Sequence, residues 1–204
     1  CEAGEKPEII SKVYLSLYTN TKTVQIETGK PYTGEAPAKD EAADSVSQQE
    51  ITTSADDADA MKQDIVDRTN ALRKENGIAP LTTSDKLMQA AQVRADEMAA
   101  SGAYSHTRPD GRKYTTVTDC KYVGENIHRI ADWALQGKPV SEVAMWSWNH
   151  SAGHQNNLLD KSYAEIGVGL ARGVNEDGYE CWYCVQLFLW NGYSVSWVDA
   201  PAAK

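Results

Sequence analysis

The segment from Tyr179 to Trp190 places the strongest constraint on the fold, because it is apolar on both of its faces. Side chains of an extended strand alternate between its two faces, so a strand with one face in water alternates between apolar and polar residues. Here both sets are largely apolar: Cys181, Tyr183, Val185, Leu187 and Leu189 on one face, and Trp182, Cys184, Phe188 and Trp190 on the other. A strand covered on both sides lies in the middle of three layers, so the sequence predicts a small sheet with helices on both faces.

Helical periodicity supplies the outer layers of this sandwich. Apolar residues at helical spacing predict a first helix over about 58–75, a second that follows Ser84 and ends before Gly102, and a third over 139–148. A second strand is predicted at 166–171, where apolar residues alternate with glycine and alanine. The predicted fold is therefore of the α+β class, a three-layer α-β-α sandwich with a small antiparallel sheet.

The chain divides into four parts, of which the sandwich occupies residues 58–193. Residues 1–34 form an N-terminal segment, in which alternation of apolar and polar residues predicts a β-hairpin over 11–28. Residues 35–57 are rich in alanine, serine and acidic residues and have too little apolar surface to offset the entropy of ordering, which predicts a linker. Residues 194–204 are predicted to be a C-terminal tail. No run of 18 apolar residues occurs, so no segment is predicted to span a membrane.

Most of the net charge of −9 comes from the stretch 35–60, which holds eight acidic residues and one basic residue, Lys39. The remainder of the chain is close to neutral and shows no basic footprint of the kind that binds nucleic acid. We therefore expect no nucleic-acid partner.

The four cysteines are Cys1, Cys120, Cys181 and Cys184. Cys181 and Cys184 are three apart on one strand, so they point to opposite faces with Cα atoms roughly 10 Å apart, too far for a disulfide unless the strand bulges. Cys120 is then predicted to pair with Cys181 or Cys184. A zinc site built from the Cys-x-x-Cys pair is the alternative.

The N-terminal residue suggests where the protein works. A chain that starts with Cys1 is similar to a bacterial lipoprotein after signal cleavage, with Cys1 as the lipidated residue, unless the boundary falls on a cysteine by chance. Such an anchor would place the protein on the outer side of a membrane, where disulfides persist.

Two histidines and one carboxylate are the candidates for chemistry. His106 precedes a Pro-Asp-Gly turn, Glu125 lies in a Gly-Glu-Asn sequence, and His154 follows a glycine. Imidazole and carboxylate groups bind zinc or transfer protons. Each is predicted in a separate loop beside a core element, and the spacing alone does not show that they meet. His128 is predicted to lie on the surface, and Trp190 in the core.

Several short motifs follow one another between residues 61 and 193. They are Ser105-His106 with Pro109-Asp110-Gly111, Gly124-Glu125-Asn126-Ile127, Trp146, Gly153-His154 with Asn157-Leu158-Leu159, Tyr163, Glu165-Ile166-Gly167-Val168-Gly169 and Val185-Gln186-Leu187-Phe188. Together they resemble the bacterial branch of the CAP superfamily, the SCP-like extracellular proteins related to cysteine-rich secretory proteins, antigen 5 and plant pathogenesis-related protein 1. The resemblance implies an α-β-α sandwich, in agreement with the three layers.

The resemblance also implies a set of metal ligands. Some members of the family hold zinc or another divalent ion in a cleft, and the matching ligands are His106, Glu125 and His154. The family's second glutamate falls at Asn149, and a neutral amide is a poor zinc ligand, so three protein ligands plus water are expected. Asn149 and the neighbouring His150 are expected to line the cleft.

For function, the resemblance implies an extracellular protein, secreted or anchored at the cell surface, that binds a lipid, glycan or protein ligand through this cleft. The alternative is a metal- or histidine-dependent, peptidase-like hydrolase with Glu125 as general base. A structural role in envelope assembly is a third hypothesis. The chain has no His-Glu-x-x-His and no Gly-x-Ser-x-Gly sequence, so it has no strong protease motif. The missing second glutamate and the long linker favour binding or structure over catalysis. Membrane contact is expected only through a lipid on Cys1.

Overall fold

The structure, a computed structural model, describes residues 55–202, with side chains from residue 57 onward. The predicted hairpin at 11–28 and the predicted lipidation site Cys1 lie outside the described residues. The first described helix begins at Ala55, so the last residues of the predicted linker (35–57) belong to it.

Within residues 55–202 a four-stranded sheet forms the middle layer. The strands are β1 (Thr82–Thr83), β2 (Val123–Ala131), β3 (Tyr163–Val174) and β4 (Glu180–Trp190), and their order in the sheet is β1-β3-β4-β2. Strands β3, β4 and β2 are antiparallel, as predicted, whereas the short β1 runs parallel to β3. The predicted central strand is confirmed, because residues 181–189 of β4 are all buried.

Helices cover both faces of this sheet, so the predicted α-β-α sandwich is confirmed. The described helices are α1 (Ala55–Glu75), α2 (Asp85–Ser101), α3 (Asp132–Leu135), α4 (Val140–Asn149) and α5 (Ala152–Leu159), and Tyr114–Val117 forms a 3₁₀ turn. The three predicted helices correspond to α1, α2 and α4, and Gly102 ends α2 in the left-handed conformation, at a φ of 69°. Among residues 55–202 no helix has the length and apolar composition needed to cross a bilayer.

Each face of the sheet carries its own apolar core. Helix α2 covers one face, where Leu87, Met98 and Leu187 are buried. Helices α1, α4 and α5 cover the other, where Ile65, Trp148 and Phe188 are buried. Trp148 also donates a hydrogen bond from its indole nitrogen to the carbonyl oxygen of Ile127, at 2.9 Å, which ties α4 to β2.

Glycines on β3 let helix α2 approach the sheet closely. Gly167, Gly169 and Gly173 occupy alternate positions on the face of β3 that meets α2. A Cβ atom at Gly169 would lie 2.1 Å from the carbonyl oxygen of Ala91, and one at Gly167 would lie 2.2 Å from the backbone of Leu87. The glycines of β3 therefore mark the positions where the backbone of helix α2 packs directly on the backbone of the strand.

The predicted disulfide between Cys120 and Cys181 or Cys184 is wrong, because all three are free, buried thiols. Cys120 lies just before the start of β2, whereas Cys181 pairs with Ala131 at the other end of that strand, roughly 26 Å away at the usual rise per residue. Cys184 lies in the core on the opposite face of the sheet. The opposite orientation of Cys181 and Cys184, which was predicted, also separates the two thiols of the alternative zinc site.

The segment 195–202 packs against the domain. Val195 and Val198 contact the core beneath α2, and the backbone N–H of Asp199 donates to the carbonyl oxygen of Val117 at 2.8 Å. The predicted domain boundary at residue 193 therefore falls within packed structure.

Candidate functional site

A tight turn fixes the loop that carries His106. The predicted Pro-Asp-Gly turn is present, with Gly111 at a φ of 85° and its N–H donating to the carbonyl oxygen of Arg108 at 2.9 Å. The carbonyl oxygen of His106 accepts a hydrogen bond from the N–H of Tyr114 at 3.0 Å. This loop therefore holds His106 against the open edge of the sheet.

His106 meets Glu125 at this edge. The Nδ1 atom of His106 lies 2.6 Å from Oε2 of Glu125, and the two side chains are 52% and 0% exposed. An ionised carboxylate can only accept, so Nδ1 is the donor in this contact. The prediction of a loop for Glu125 is wrong, because Glu125 lies within β2, and His154 likewise lies in helix α5.

Glu125 is the end of a row of buried ion pairs. Arg94 on helix α2 donates from Nε to Oε1 of Glu125 at 2.9 Å and from Nη1 to Glu97 at 2.7 Å. Arg108 donates to Glu97 at 2.6 Å and to Asp199 at 2.7 Å. We call this set, Asp199–Arg108–Glu97–Arg94–Glu125–His106, the ion-pair row. It joins the C-terminal segment to the exposed imidazole, through side chains that alternate in charge from Asp199 to Glu125.

His154 and His128 form a second group of imidazoles on the other face of β2. Burial, and to a smaller extent repulsion from His106, lowers the pKa of His154. The prediction of a surface position for His128 is wrong, because His128 is buried and packs edge-on against Trp148. Nε2 of His128 and Nδ1 of His154 are buried, and neither has a hydrogen-bond partner among the described residues.

We expect acid to destabilise the protein through His128. Burial, together with the charge of His154, lowers the pKa of His128 from 6.5 to about 4. Between those pH values the unfolded chain binds a proton that the folded chain does not, so stability is complete above pH 6.5 and falls as the pH drops towards 4. The loss should reach about 3 kcal/mol for this residue.

Urea denaturation of the wild type and of His128→Gln at neutral pH and near pH 4 measures this contribution. The carboxylates titrate in both proteins, so the difference between their pH profiles isolates His128. If the free energy of unfolding falls equally steeply with pH in the two proteins, His128 is not a neutral, buried imidazole.

A cavity of about 550 Å³ opens beside the His106–Glu125 pair. Four aromatic side chains and several polar groups surround it. Asn157 links α5 to β2 in the cavity wall, because its side-chain amide donates to the carbonyl oxygen of Glu125 at 3.2 Å. Its lining consists of His106, Tyr114, Lys121, Tyr122, Val123, Gly124, Glu125, Asn157, Tyr163 and Trp190. Trp190 was predicted in the core, but it is 41% exposed.

Asn149 and His150, which were expected to line the cleft, are not among the residues around this cavity. Asn149 accepts a hydrogen bond from the side chain of Gln155 at 3.1 Å. His150 stacks on Trp146 with ring centroids 4.3 Å apart and lies exposed at the end of α4. Both residues therefore contact side chains of helices α4 and α5 and do not line the cavity.

The predicted ligands do not form a three-residue metal site. Both oxygens of Glu125 already have partners, and one of these is the guanidinium of Arg94, whose positive charge would repel a cation. His154 is not among the residues lining the cavity. Within residues 57–202 no group of three or more His, Cys, Asp or Glu side chains is arranged to hold a metal ion. The donor set described here therefore does not fit a zinc ion.

Sequence analysis missed Arg94, although the periodicity of its helix contains a signal. Leu87 and Ala90 begin the buried face of α2, and Arg94 and Glu97 continue it at helical spacing. A charged pair on a core stripe indicates buried partners, because an isolated charge is expensive to bury. The aromatic wall of the cavity had no comparable signal, since its rings come from four separate segments.

The sequence and this architecture agree with a known family. The family model described as the cysteine-rich secretory protein (CAP) family matches residues 66–188, more than half of the chain. The chain belongs to this family, and the resemblance found in the motifs is confirmed.

Similar proteins include two from Bacillus subtilis (strain 168). The uncharacterized protein YkwD is 29% identical over 124 residues, which are 58% of this chain and 46% of the relative. The uncharacterized membrane protein YlbC is 27% identical over 120 residues, 54% of this chain and 32% of the relative. The match therefore spans less than half the length of each of these curated relatives.

Solved structures with a similar fold include two bacterial proteins. One is an extracellular protein containing an SCP domain from Bacillus anthracis, with 22% identity, a TM-score of 0.49, and coverage of 66% of this chain and 42% of the other. Another is a cysteine-rich secretory protein from Staphylococcus aureus, with 19% identity, a TM-score of 0.48, and coverage of 67% and 41%.

Proposed function

We propose that this protein acts outside the cell as a binding protein, and that its ligand occupies the cleft beside His106. The family to which the chain belongs is described as secretory, which supports an extracellular location. Attachment through a lipid on Cys1 is part of the proposal, and the ligand classes expected from the sequence are lipid, glycan and protein.

The observation that carries the proposal is an exposed imidazole held in one orientation at the rim of a cavity. Glu125 fixes His106 through the contact of 2.6 Å, and Arg94 fixes Glu125 in turn. A polar group that is oriented before the ligand arrives loses little entropy on binding. Aromatic side chains around a few placed polar groups are the usual lining of a ligand site, and 550 Å³ is within the usual range of volumes.

A metal ion is not needed for this binding. The guanidinium of Arg94 already supplies a positive charge beside Glu125, at 2.9 Å. The divalent ion expected from the sequence therefore has no role in the proposal.

Hydrolysis is a second candidate, which the same contact of 2.6 Å favours. An imidazole that donates to a buried carboxylate has the arrangement of a general base, and here His106 would be the base and Glu125 its orienting partner. This reverses the expected role of Glu125, whose side chain is 0% exposed. Binding remains the leading proposal, since an oriented imidazole beside a cavity is sufficient for binding, whereas hydrolysis also needs a water or side-chain nucleophile placed next to it.

The test is a binding screen with the full chain. Soluble oligosaccharides, phospholipid vesicles and peptides would be titrated by calorimetry against wild type, His106→Ala and the control His150→Ala, which changes an exposed histidine away from the cavity. We expect one class to bind, with affinity reduced about ten-fold or more in His106→Ala and unchanged in His150→Ala.

Mass spectrometry of each bound mixture separates the two candidates. Turnover of the ligand that disappears in His106→Ala would replace binding by hydrolysis. Equal affinity in wild type and His106→Ala would show that the ligand does not use this cleft, and the proposal would fail.

A further inference from the structure

We infer that the ligand is an uncharged, linear oligosaccharide, and that it extends from the cleft across a neighbouring aromatic surface into a second cavity. This inference rests on the proposed function, because the surface continues the wall of the His106 cleft. It adds a class of ligand, a direction for the bound chain and a second set of binding residues.

The aromatic surface consists of Tyr122, Trp190 and Tyr193, which we call the aromatic platform. The ring centroids of Tyr122 and Trp190 are 5.7 Å apart, and those of Tyr122 and Tyr193 are 4.1 Å apart. Trp190 and Tyr193 are 41% and 43% exposed, whereas Tyr122 is half-buried between them. These three rings form one contiguous surface, and contiguous exposed apolar surface, unlike scattered single side chains, indicates a binding surface.

The platform lies between two cavities. The second cavity, of about 450 Å³, is lined by Asp119, Cys120, Lys121, Tyr122, Gly192, Tyr193 and Ser194. It shares Lys121 and Tyr122 with the cavity beside His106. Two adjacent hollows joined by aromatic rings suit a ligand made of repeated units, because each unit can occupy one subsite along the same line.

The chemistry of the lining selects a sugar over the other classes. A sugar ring has an apolar C–H face that packs on an aromatic ring, and hydroxyl groups at its edge that need hydrogen-bond partners. Polar partners are present at both ends, with His106 and Asn157 in one cavity and Asp119 and Ser194 in the other. Such polar rims do not suit an acyl chain, for which a continuous apolar wall is required.

The charges at the two cavities favour an uncharged chain. Lys121 is the only lysine or arginine among the residues that line them, and its ammonium group lies over the ring of Tyr122 at 5.2 Å. Glu125 and Asp119 contribute one carboxylate to each cavity. A row of phosphates or carboxylates would meet two carboxylates and one ammonium group here, so a polyanion gains little.

The experiment titrates the full chain with chito-oligosaccharides and β-1,4-gluco-oligosaccharides of two, four and six units. We expect affinity to rise with length in at least one series, because longer chains reach the platform. Tyr193→Ala and Trp190→Ala should each weaken binding of the six-unit chain about ten-fold, and Tyr193→Ala should leave the two-unit chain unaffected. Trp133→Ala, which removes an exposed tryptophan on α3, is the matched control and should change neither.

The outcomes separate this inference from the proposed function. If affinity does not depend on the length of the oligosaccharide, or if the six-unit chain binds Tyr193→Ala as tightly as wild type, the ligand does not use the platform and the inference is wrong. The proposal that a ligand binds beside His106 is unaffected by that result. If neither series binds and another class of ligand depends on His106, the inference is wrong and the proposed function holds. If no ligand depends on His106, both fail. Since Tyr193 lies on the surface, its replacement tests the platform even if Trp190→Ala does not fold.

Discussion

Replacing Arg94 by methionine is expected to lower the free energy of unfolding by about 3–5 kcal/mol, the usual loss when one partner of a buried ion pair is removed. Arg94 is 0% exposed and contacts Glu97 at 2.7 Å and Glu125 at 2.9 Å. It also donates to the carbonyl oxygen of Ser105 at 2.8 Å. Methionine keeps the unbranched stem of the side chain but removes the guanidinium, so the buried carboxylate of Glu125 loses its arginine partner and Glu97 retains only Arg108 as its cation.

The matched control is Arg112→Met at the surface end of the ion-pair row. Arg112 contacts Asp110 at 2.6 Å and Asp199 at 2.7 Å, but its side chain is half-exposed. Exposed pairs contribute less than about 1 kcal/mol, so the control should lose little. Urea denaturation at neutral pH compares the two variants. Losses of similar size would mean that burial does not determine the strength of these contacts.

Replacing Gly169 by alanine is expected to cost more than about 3 kcal/mol, beyond the usual penalty for an overfilled core. The new Cβ atom would lie 2.1 Å from the carbonyl oxygen of Ala91, and its other near neighbours are also backbone atoms of α2. Backbone cannot rotate aside as a side chain can, so the whole helix has to move away from the sheet. That movement opens the core on this face.

Gly153→Ala is the control for this substitution. Gly153 lies in helix α5, and a Cβ atom there meets nothing within 4 Å. Alanine at a helical position is more stable than glycine by about 0.5–1 kcal/mol, so the thermal midpoint should rise slightly. If Gly169→Ala melts at the same temperature as wild type, the helix is not seated on the strand as described.

The three-layer fold could be predicted because strand β4 carries its signal in consecutive residues. An apolar run on both faces has one simple explanation, and helices with regular apolar stripes supply the covering layers. Strand β2 was missed because it contains Glu125, Asn126 and His128, which are polar residues that lie buried at the edge of the sheet. Their partners come from distant segments, so the local pattern resembled a loop.

The candidate site was predicted in part. His106 and Glu125 do meet, but the helical spacing that marks Arg94 as buried does not identify its partners, and this cation changes the chemistry from a metal site to an oriented imidazole. His128 was misplaced because a single histidine has no periodicity of its own. The platform residue Trp190 was assigned to the core because it ends an apolar strand, and whether a strand end is covered depends on neighbours far along the chain.

The ion-pair row has a consequence for how sequences of this kind can diverge. Charges alternate along it from Asp199 to Glu125, so the loss of one member places two like charges next to each other. Replacing two adjacent members together by uncharged residues avoids that repulsion. Substitutions in related chains are therefore expected to covary between neighbouring positions of the row, and a homologue that has lost the counterpart of Arg94 should also have replaced a carboxylate beside it.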